Sequence, residues 1–126
     1  MRRRPGWYRV DGGMVVQATV RMVIATDKID EALHILHSIA ERTRVEVGCF
    51  DCCVHRDTQD ERVIIFEQAW KTEDAMLRHL GSEEYRNVLL VMEMCSEQPE
   101  IRFDTIAGST GVETIEAARR DKKDGE

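Results

Sequence analysis

The chain has 126 residues, which is enough for one domain and too few for two. Hydrophobic residues make up 42% and charged residues 33%, a balance typical of a globular protein and too apolar for a disordered one. The net charge of −6 disfavours nucleic acid as a partner, and no apolar run reaches the ~20 residues of a membrane-spanning helix. The basic N-terminus lacks the apolar stretch of an export signal, so we expect a cytoplasmic protein that binds no membrane.

The chain divides by composition into three parts. Residues 1–13 read as an irregular N-terminal arm, residues 14–106 as the folded domain, and residues 107–126 as a polar, glycine-rich C-terminal tail. Basic clusters lie only near the two ends, where charge runs are usually solvated. We expect the tail to be frayed or to form a short surface helix.

The domain begins with a predicted strand and a predicted helix. Residues 15–25 alternate apolar and mixed side chains, which indicates a strand with one buried side. Thr26 and Asp27 offer a helix N-cap, and apolar residues then recur at helical spacing to about Arg44, after which Gly48 breaks the pattern. The buried side of the strand comprises Val16, Ala18, Val20, Met22 and Ile24, opposite Gln17, Thr19 and Arg21.

A hairpin follows this helix. Two strands, Cys49 to Arg56 and Arg62 to Trp70, are joined by a polar turn at residues 57–60. Both faces of the second strand are largely apolar, which predicts a sheet that is covered on both sides. One face carries Ile64, Phe66, Gln68 and Trp70, and the other carries Val63, Ile65 and Ala69.

A second helix and a last strand complete the domain. Thr72 can cap the helix, and Gly81 with Ser82 predicts a kink and a fresh cap. Pro99 ends this stretch, and residues 101–105 alternate as a strand. The apolar stripe after the kink is predicted to be Tyr85, Val88, Leu89 and Met92, and the strand alternates at Ile101, Phe103 and Thr105.

The order of elements is therefore β-α-β-β-α-β, which indicates an α+β fold of ferredoxin-like build with a four-stranded antiparallel sheet. Two helices can cover only one face of such a sheet. The other face, which is apolar on the third strand, then needs a partner. A second copy of the chain is the economical choice because most soluble oligomers are symmetric homo-oligomers.

The chain contains two groups of residues that resemble metal ligands. Cys49 and Cys52 should point to opposite faces of their strand, and no second ligand pair stands at a matching distance, so we interpret them with Cys53 as buried apolar thiols. A reducing compartment also disfavours disulfides. His34 and Glu41 lie on the wet side of the first helix and His37 at its border, with no further ligand in view, so we favour a solvated helix face over a metal site. We expect no metal.

Four short motifs occur in chain order: Glu46-Val47-Gly48-Cys49 before the second strand, Phe66-Glu67-Gln68-Ala69-Trp70 closing the third, Asp74-Ala75 with His79 on the following helix, and Ser82-Glu83-Glu84-Tyr85 after it. With these motifs, the chain from about Val15 to Ile106 resembles the antibiotic biosynthesis monooxygenase (ABM) domain family, which includes small quinol monooxygenases. The resemblance implies a dimeric α/β barrel in which two ferredoxin-like sheets pack face to face.

The resemblance also implies cofactor-independent oxygenation of a small aromatic, a quinol or polyphenol, with O2. The haem-degrading branch uses an iron-ligating His where residues 88–91 of this chain have none, so we expect no haem and no other cofactor. Two alternatives stay open. One is a non-catalytic dimeric ligand-binding or stress-linked module, which Gln68 favours because the family often has Glu there. The other is isomerisation of a small carbonyl compound.

His79 is the candidate catalytic residue. Helical spacing places it on the inward side of its helix beside Met76, and a histidine side chain can accept a proton near neutral pH. Trp70 and Phe66, on one strand face, are predicted to form an aromatic wall for the substrate. The alternative for each of these side chains is ordinary core packing.

The remaining predicted substrate-binding residues are less specific. Arg21 lies on the mixed face of the first strand, where it could pair with an anionic substrate or with a carboxylate across a dimer. Met76 and Tyr85 belong to the apolar sides of the second helix region, and Gln68 lies between Phe66 and Trp70 on one strand face. We expect these residues to line the pocket with Trp70 and Phe66.

Overall fold

The structure, a computed structural model, describes residues 14–124, so the predicted arm at residues 1–13 lies outside the described part. None of the helices in this part is long and apolar enough to cross a membrane. The elements in chain order are β1 (Val15–Val23), a 3-10 turn (Thr26–Lys28), α1 (Ile29–Thr43), β2 (Cys49–Arg56), β3 (Val63–Trp70), α2 (Glu73–Leu80), α3 (Arg86–Met92), β4 (Glu100–Ile106) and α4 (Val112–Asp124).

The four strands form one sheet in the order β2-β3-β1-β4, and every neighbouring pair is antiparallel. β1 and β2 are therefore parallel to each other with β3 between them, which is the split βαβ arrangement. The predicted α+β fold of ferredoxin-like build is confirmed. The tail contains α4, so the surface-helix alternative holds for its described part.

The polar turn between β2 and β3 is formed as predicted. The backbone N–H of Gln59 donates to Asp57 Oδ1 at 2.7 Å, and the N–H of Arg62 donates to Asp60 Oδ1 at 3.1 Å. Asp side chains favour such turns because they bond the backbone two residues further on. The turn sets the register of the hairpin, in which Val54 pairs with Phe66.

One face of the sheet, called here the covered face, packs against α1, α2 and α3. Its side chains are Val16, Ala18, Val20 and Met22 of β1 with Ile64, Phe66, Gln68 and Trp70 of β3. Trp70 and Phe66 are both 1% exposed. Burying large side chains of this kind contributes about 1.5–3 kcal/mol each, so this face supplies most of the driving force for folding.

The N-terminus of α1 differs from the prediction. Thr26 and Asp27 lie in the 3-10 turn, where the N–H of Lys28 donates to the carbonyl of Ala25 at 2.8 Å. Lys28 is the N-cap residue of α1 and makes no side-chain capping bond. The predicted cap was wrong because the chain leaving β1 uses these residues to turn before the helix begins.

The region predicted as one kinked helix contains two helices. Thr72 caps α2 as predicted, accepting a hydrogen bond from the N–H of Ala75 at 3.1 Å. Ser82 Oγ donates to the carbonyl of His79 and accepts from the N–H of Tyr85, so it holds the turn before α3. The break shifts the phase of the apolar stripe. Leu89, predicted as buried, is 50% exposed, and Val91 is fully buried instead.

The opposite side of the sheet, called here the open face, is less apolar than predicted. Val63 and Ala69 are already buried in the single chain, and Ala69 packs with Val15 at one end. Elsewhere His55 Nε2 lies 2.8 Å from Glu67 Oε2. Val63, Ile65 and Ala69 lie on this face as predicted, but many of the residues beside them on β1 and β2 are polar, so the face is mixed: Gln17, Thr19, Arg21, Asp51 and His55.

Candidate functional site

The loop between α1 and β2 lies close to α2, and Gly48 makes this approach possible. Gly48 has a φ of 89°, and a Cβ at this position would lie 2.7 Å from the Cβ of Ala75. Only glycine adopts this backbone conformation without strain and leaves room for the helix. The N–H of Lys71 donates to the Gly48 carbonyl at 2.7 Å. The loop therefore places Glu46 beside α2.

His79 lies on the side of α2 that faces the sheet, as predicted. Its side chain is 1% exposed. The imidazole ring lies between two aromatic rings: its centroid is 4.9 Å from that of Trp70 at an interplanar angle of 35°, and 5.6 Å from that of Tyr85, which it meets edge-on at 80°. These contacts fix the ring orientation, because aromatic pairs prefer tilted or edge-to-face packing at such distances.

A continuous polar chain runs through the site from the core to the surface. Trp70 Nε1 donates to Gln68 Oε1 at 3.4 Å, and Gln68 Nε2 lies 3.0 Å from His79 Nε2. His79 Nδ1 lies 2.8 Å from Glu46 Oε2, but off the axis of a linear hydrogen bond, so the contact is chiefly electrostatic. This series of contacts joins three buried residues, Trp70, Gln68 and His79, to a carboxylate that is partly in water.

The cysteines near this chain are neutral thiols. Burial raises the pKa of Cys49 to about 12 and also raises that of Cys52. A β-bulge between Cys49 and Asp51 adds one residue to β2. Cys49 and Cys52 therefore face the same side of the sheet, where they pair with Trp70 and Gln68 of β3. The prediction of opposite faces assumed regular alternation and was wrong. Within residues 14–124 no three His, Cys, Asp or Glu side chains are grouped to hold a metal ion.

A cavity of about 190 Å³ opens beside His79 and Trp70. Val47 and Arg78 are exposed and form part of its rim. Arg78 supplies the only positive charge among the lining residues, and Glu46 supplies the negative one. The complete lining is Glu46, Val47, Trp70, Ala75, Arg78, His79 and Ser82.

The other predicted site residues lie at increasing distances from this cavity. Met76 packs with Trp70 in one apolar cluster, and burial raises the pKa of Tyr85, whose ring meets His79. Phe66 belongs to the main core under α1 and α3. Arg21 pairs with Ile65 across the sheet, so it lies on the open face, with the sheet between it and the cavity.

Sequence reasoning did not assign the cavity lining from the loop and from the outer side of α2. Glu46 is part of the first motif of the family resemblance, yet nothing in its spacing from His79 shows that the loop folds back. Arg78 and Ser82 flank His79 in sequence, and their helical phase alone would place Arg78 in solvent. The close approach at Gly48 creates this half of the site.

A larger cavity of about 530 Å³ lies between the start of α1 and the end of α3. Asp27, Lys28 and Glu31 line one side of it, and Leu90 and Cys95 lie on the other. None of the predicted site residues lines it, and it lacks a buried titratable group joined to an aromatic wall. We therefore place the candidate site at the smaller cavity.

The arrangement at the smaller cavity suits proton transfer to or from a flat, small ligand. Trp70 offers a ring face, and the His79–Glu46 pair offers a group that can take up a proton next to it. Arg78 can offset negative charge on a bound molecule.

Comparisons with known proteins agree with this description. Residues 14–89 match the family model described as antibiotic biosynthesis monooxygenase. A conserved protein from Methanosarcina mazei Go1 has a similar structure, with a TM-score of 0.68, 20% identity, and coverage of 74% of this chain and 93% of that one. A protein from Mycobacterium tuberculosis has a TM-score of 0.65 and 17% identity, with coverage of 77% of this chain and 97% of that one. A structure described as an antibiotic biosynthesis monooxygenase has a TM-score of 0.65 and 21% identity, with coverage of 71% of this chain and 95% of that one. No curated protein matches the sequence.

Proposed function

Because this chain belongs to the antibiotic biosynthesis monooxygenase family, we propose that it is a cofactor-independent monooxygenase that oxidises a small aromatic substrate, a quinol or polyphenol. The observation that carries the proposal is the buried Trp70–His79 pair, with ring centroids 4.9 Å apart at the edge of an accessible cavity. A flat substrate can stack on the indole while its hydroxyl group meets the charged end of the site.

The proposed reaction needs an electron-rich substrate because the substrate itself reduces O2. A hydroquinone and O2 give a hydroxyquinone and water: the ring loses four electrons, one oxygen atom stays on the ring, and the other leaves as water. Removing the phenolic proton makes the ring a better electron donor. The protein's part is then to bind the ring, to exclude water from it and to accept that proton.

The size of the cavity favours a substrate with one ring. A cavity of about 150 Å³ lined by apolar side chains holds benzene, whereas drug-sized ligands occupy about 300–1,000 Å³. The volume of about 190 Å³ lies close to the first value. A polycyclic substrate would have to extend past Val47 and Arg78 into solvent.

The His79–Glu46 pair supplies the base in this proposal. A proton accepted in the cavity can leave through Glu46, whose side chain is 38% exposed. Gln68 and Tyr85 hold the imidazole from the other sides, and Met76 and Phe66 support the indole and the sheet behind it. Arg21 would act from the open face, on a ligand or on a carboxylate of a second copy.

A ligand-binding module without catalysis is the second candidate. Gln68 favours it. Its neutral amide lies 3.0 Å from His79 Nε2, whereas a carboxylate at this position would stabilise a protonated imidazole. Under this proposal the cavity still binds a one-ring aromatic, and O2 is not consumed. Isomerisation of a small carbonyl compound would likewise leave O2 unchanged.

Oxygen uptake separates these candidates. The purified protein is mixed with a panel of one-ring hydroquinones in metal-free buffer, and O2 is followed with an electrode. We expect uptake above the autoxidation rate, with one hydroxyquinone formed per O2. Trp70→Phe should raise KM more than it lowers kcat, since it removes stacking area and leaves the His79–Glu46 pair. Binding without uptake for every quinol would leave the ligand-binding module.

We also propose a homodimer in which the open faces of two copies pack together. The small apolar cluster of Val15 and Ala69, with Phe50 and Ile106 at its edge, would lie at this contact. Val15 and Ala69 are buried in the single chain, but Phe50 and Ile106 beside them stay partly exposed, and apolar surface left exposed can mark a protein contact. Sedimentation at micromolar concentration should give twice 14.5 kDa. A single copy at that concentration would contradict the dimer.

We place the protein in the cytoplasm. Cys49, Cys95 and the buried Cys52 are free thiols in the structure, and reduced thiols are the rule in that compartment. Cell fractionation with an antibody to the chain would test this, and recovery outside the cytoplasmic fraction would contradict it.

A further inference from the structure

The polar chain in the site determines where the proton of neutral His79 lies. The indole N–H of Trp70 can only donate a hydrogen bond, so the Gln68 atom that faces it at 3.4 Å must be the carbonyl oxygen. The amide nitrogen of Gln68 then faces His79 and Cys52 and can only donate to them. The orientation of the Gln68 amide is thus fixed by Trp70, because the indole N–H can act only as a donor.

This orientation fixes the tautomer of His79. Gln68 Nε2 lies 3.0 Å from His79 Nε2, and two donors cannot face each other at that distance, so His79 Nε2 carries the lone pair. The proton of the neutral ring is therefore on Nδ1, which lies 2.8 Å from Glu46 Oε2. The basic nitrogen of His79 points into the core, where Gln68 already occupies it.

We propose that the carboxylate of Glu46 accepts the phenolic proton of the substrate, and that His79 is the positioning residue that holds this carboxylate at the cavity. This inference rests on the proposed function. Glu46 lines the cavity and keeps a second side in solvent, whereas the lone pair on His79 Nε2 faces Gln68 at 3.0 Å. The partial positive charge of His79 Nδ1–H attracts one carboxylate oxygen of Glu46 at 2.8 Å without forming a linear hydrogen bond, and the other oxygen is left for the substrate.

The step balances as a simple proton transfer. The O–H bond of the phenol breaks, an O–H bond forms on Glu46, and the electron pair stays on the phenolate oxygen. Arg78, on the cavity rim, offsets the phenolate charge. Glu46 then releases its proton to water through its exposed side, and the carboxylate is restored for the next substrate.

The proposal predicts opposite behaviour for two conservative variants. Glu46→Gln keeps the shape of the side chain and removes its basicity, so turnover should fall about a hundredfold, the usual worth of a general base. His79→Asn keeps an N–H donor near the position of Nδ1 and removes the imidazole base, so turnover should stay within about tenfold of the parent. Glu41→Gln, on the exposed face of α1, is the matched control and should leave turnover unchanged.

A binding experiment tests the same inference without any oxidation. Hydroquinone has hydroxyl protons to share with Glu46, and 1,4-dimethoxybenzene has none. Calorimetry on the parent should show at least about tenfold tighter binding of hydroquinone, which corresponds to one hydrogen bond to a charged group. The preference should disappear in Glu46→Gln and persist in His79→Asn and Glu41→Gln.

The outcomes separate this inference from the proposed function. Hydroquinone preference that depends on Glu46, without O2 uptake, supports Glu46 as the acceptor and overturns the monooxygenase. O2 uptake with full activity in Glu46→Gln, or with His79→Asn as inactive as His79→Ala, overturns the acceptor and leaves the monooxygenase. Equal binding of the two probes by the parent also overturns it. Glu46→Asp, a shorter acid at the same exposed loop, should recover part of the preference, and its circular dichroism shows whether the fold is intact.

Discussion

Two histidine–glutamate pairs lie on opposite sides of the same sheet, and their atoms are equally close. His79 Nδ1 is 2.8 Å from Glu46 Oε2 on the covered face, and His55 Nε2 is 2.8 Å from Glu67 Oε2 on the open face. The side chain of His79 is 1% exposed and that of His55 is 39% exposed. The pairs therefore differ in surroundings and not in distance.

The comparison shows what makes a polar pair chemically useful. The attraction between a polar N–H group and a carboxylate is weak in water, and it becomes several-fold stronger where protein replaces water. His79 lies against Trp70 and Tyr85, which exclude water and fix the ring. His55 and Glu67 are both open to solvent and can exchange their partners for water. The covered pair borders a cavity with an aromatic wall.

The largest effect should come from the aromatic wall of the covered face. Trp70→Ala should lower the free energy of unfolding by about 3–5 kcal/mol, because it leaves a cavity among Val16, Met76 and their neighbours. Urea denaturation followed by far-UV circular dichroism measures this change. A loss below about 1 kcal/mol would mean that the indole is not packed as described.

The next effect concerns the two histidines directly. His79→Ala should lower the turnover of a quinol by on the order of a hundredfold and leave the fold intact, because the variant removes the contact between His79 and Glu46. His55→Ala is the matched control, since it removes a histidine with the same carboxylate distance, and it should keep full turnover. If both variants slow the reaction equally, burial is not what distinguishes the two pairs. Full activity in His79→Ala would exclude this residue from catalysis.

The approach of the loop to α2 can be broken at Gly48. Gly48→Ala combines a φ of 89° with a contact of 2.7 Å to Ala75, so we expect a loss of about 2 kcal/mol in the free energy of unfolding. It should also weaken hydroquinone binding by moving Glu46. Gly108→Ala, where a Cβ meets nothing within 4 Å, is the control and should change stability by less than about 0.5 kcal/mol. Equal effects of the two changes would contradict the close approach.

Alkaline pH should destabilise the covered face. Burial raises the pKa of Cys49 from 9.0 to about 12, and raises those of Cys52 and Tyr85. The unfolded chain therefore releases these protons first, so the stability is fully present below pH 9 and is lost as pH rises toward 12. Urea midpoints between neutral and alkaline pH should fall, and Cys52→Ala should make the fall shallower. If the urea midpoint fell equally with pH in the parent and in Cys52→Ala, the Cys52 thiol would be exposed to water.

The smallest effect should come from the open pair. His55→Ala should change the free energy of unfolding by less than about 1 kcal/mol at low protein concentration, the usual value for an exposed ion pair. If the open faces pack together in a dimer, the same variant should lose more stability as concentration rises. Denaturation at two protein concentrations distinguishes these results. A large loss at low concentration would show that the pair is shielded in the single chain.

Local rules were enough to predict most of the elements. Alternation predicted β1 and the hairpin, with β2 at its observed bounds from Cys49 to Arg56, and the Asp-rich turn and the Thr72 cap formed as expected. These features depend on neighbours in sequence. The local rules failed at two places where the phase of the pattern changes. One is the bulge after Cys49, which adds a residue to β2, and the other is Leu89, which lies beyond the turn between α2 and α3.

The sequence by itself determined the fold class, the inward side of His79 and the face that Trp70 shares with Gln68, because each follows from a helical or strand period. Only the tertiary structure decided that Glu46 meets His79, since the two residues lie on different elements and their contact depends on the positive φ of Gly48. It also decided that the open face is polar around β3, because residues from β1 and β2 surround that strand. Periodicity describes one element at a time, and the site is made where three of them meet.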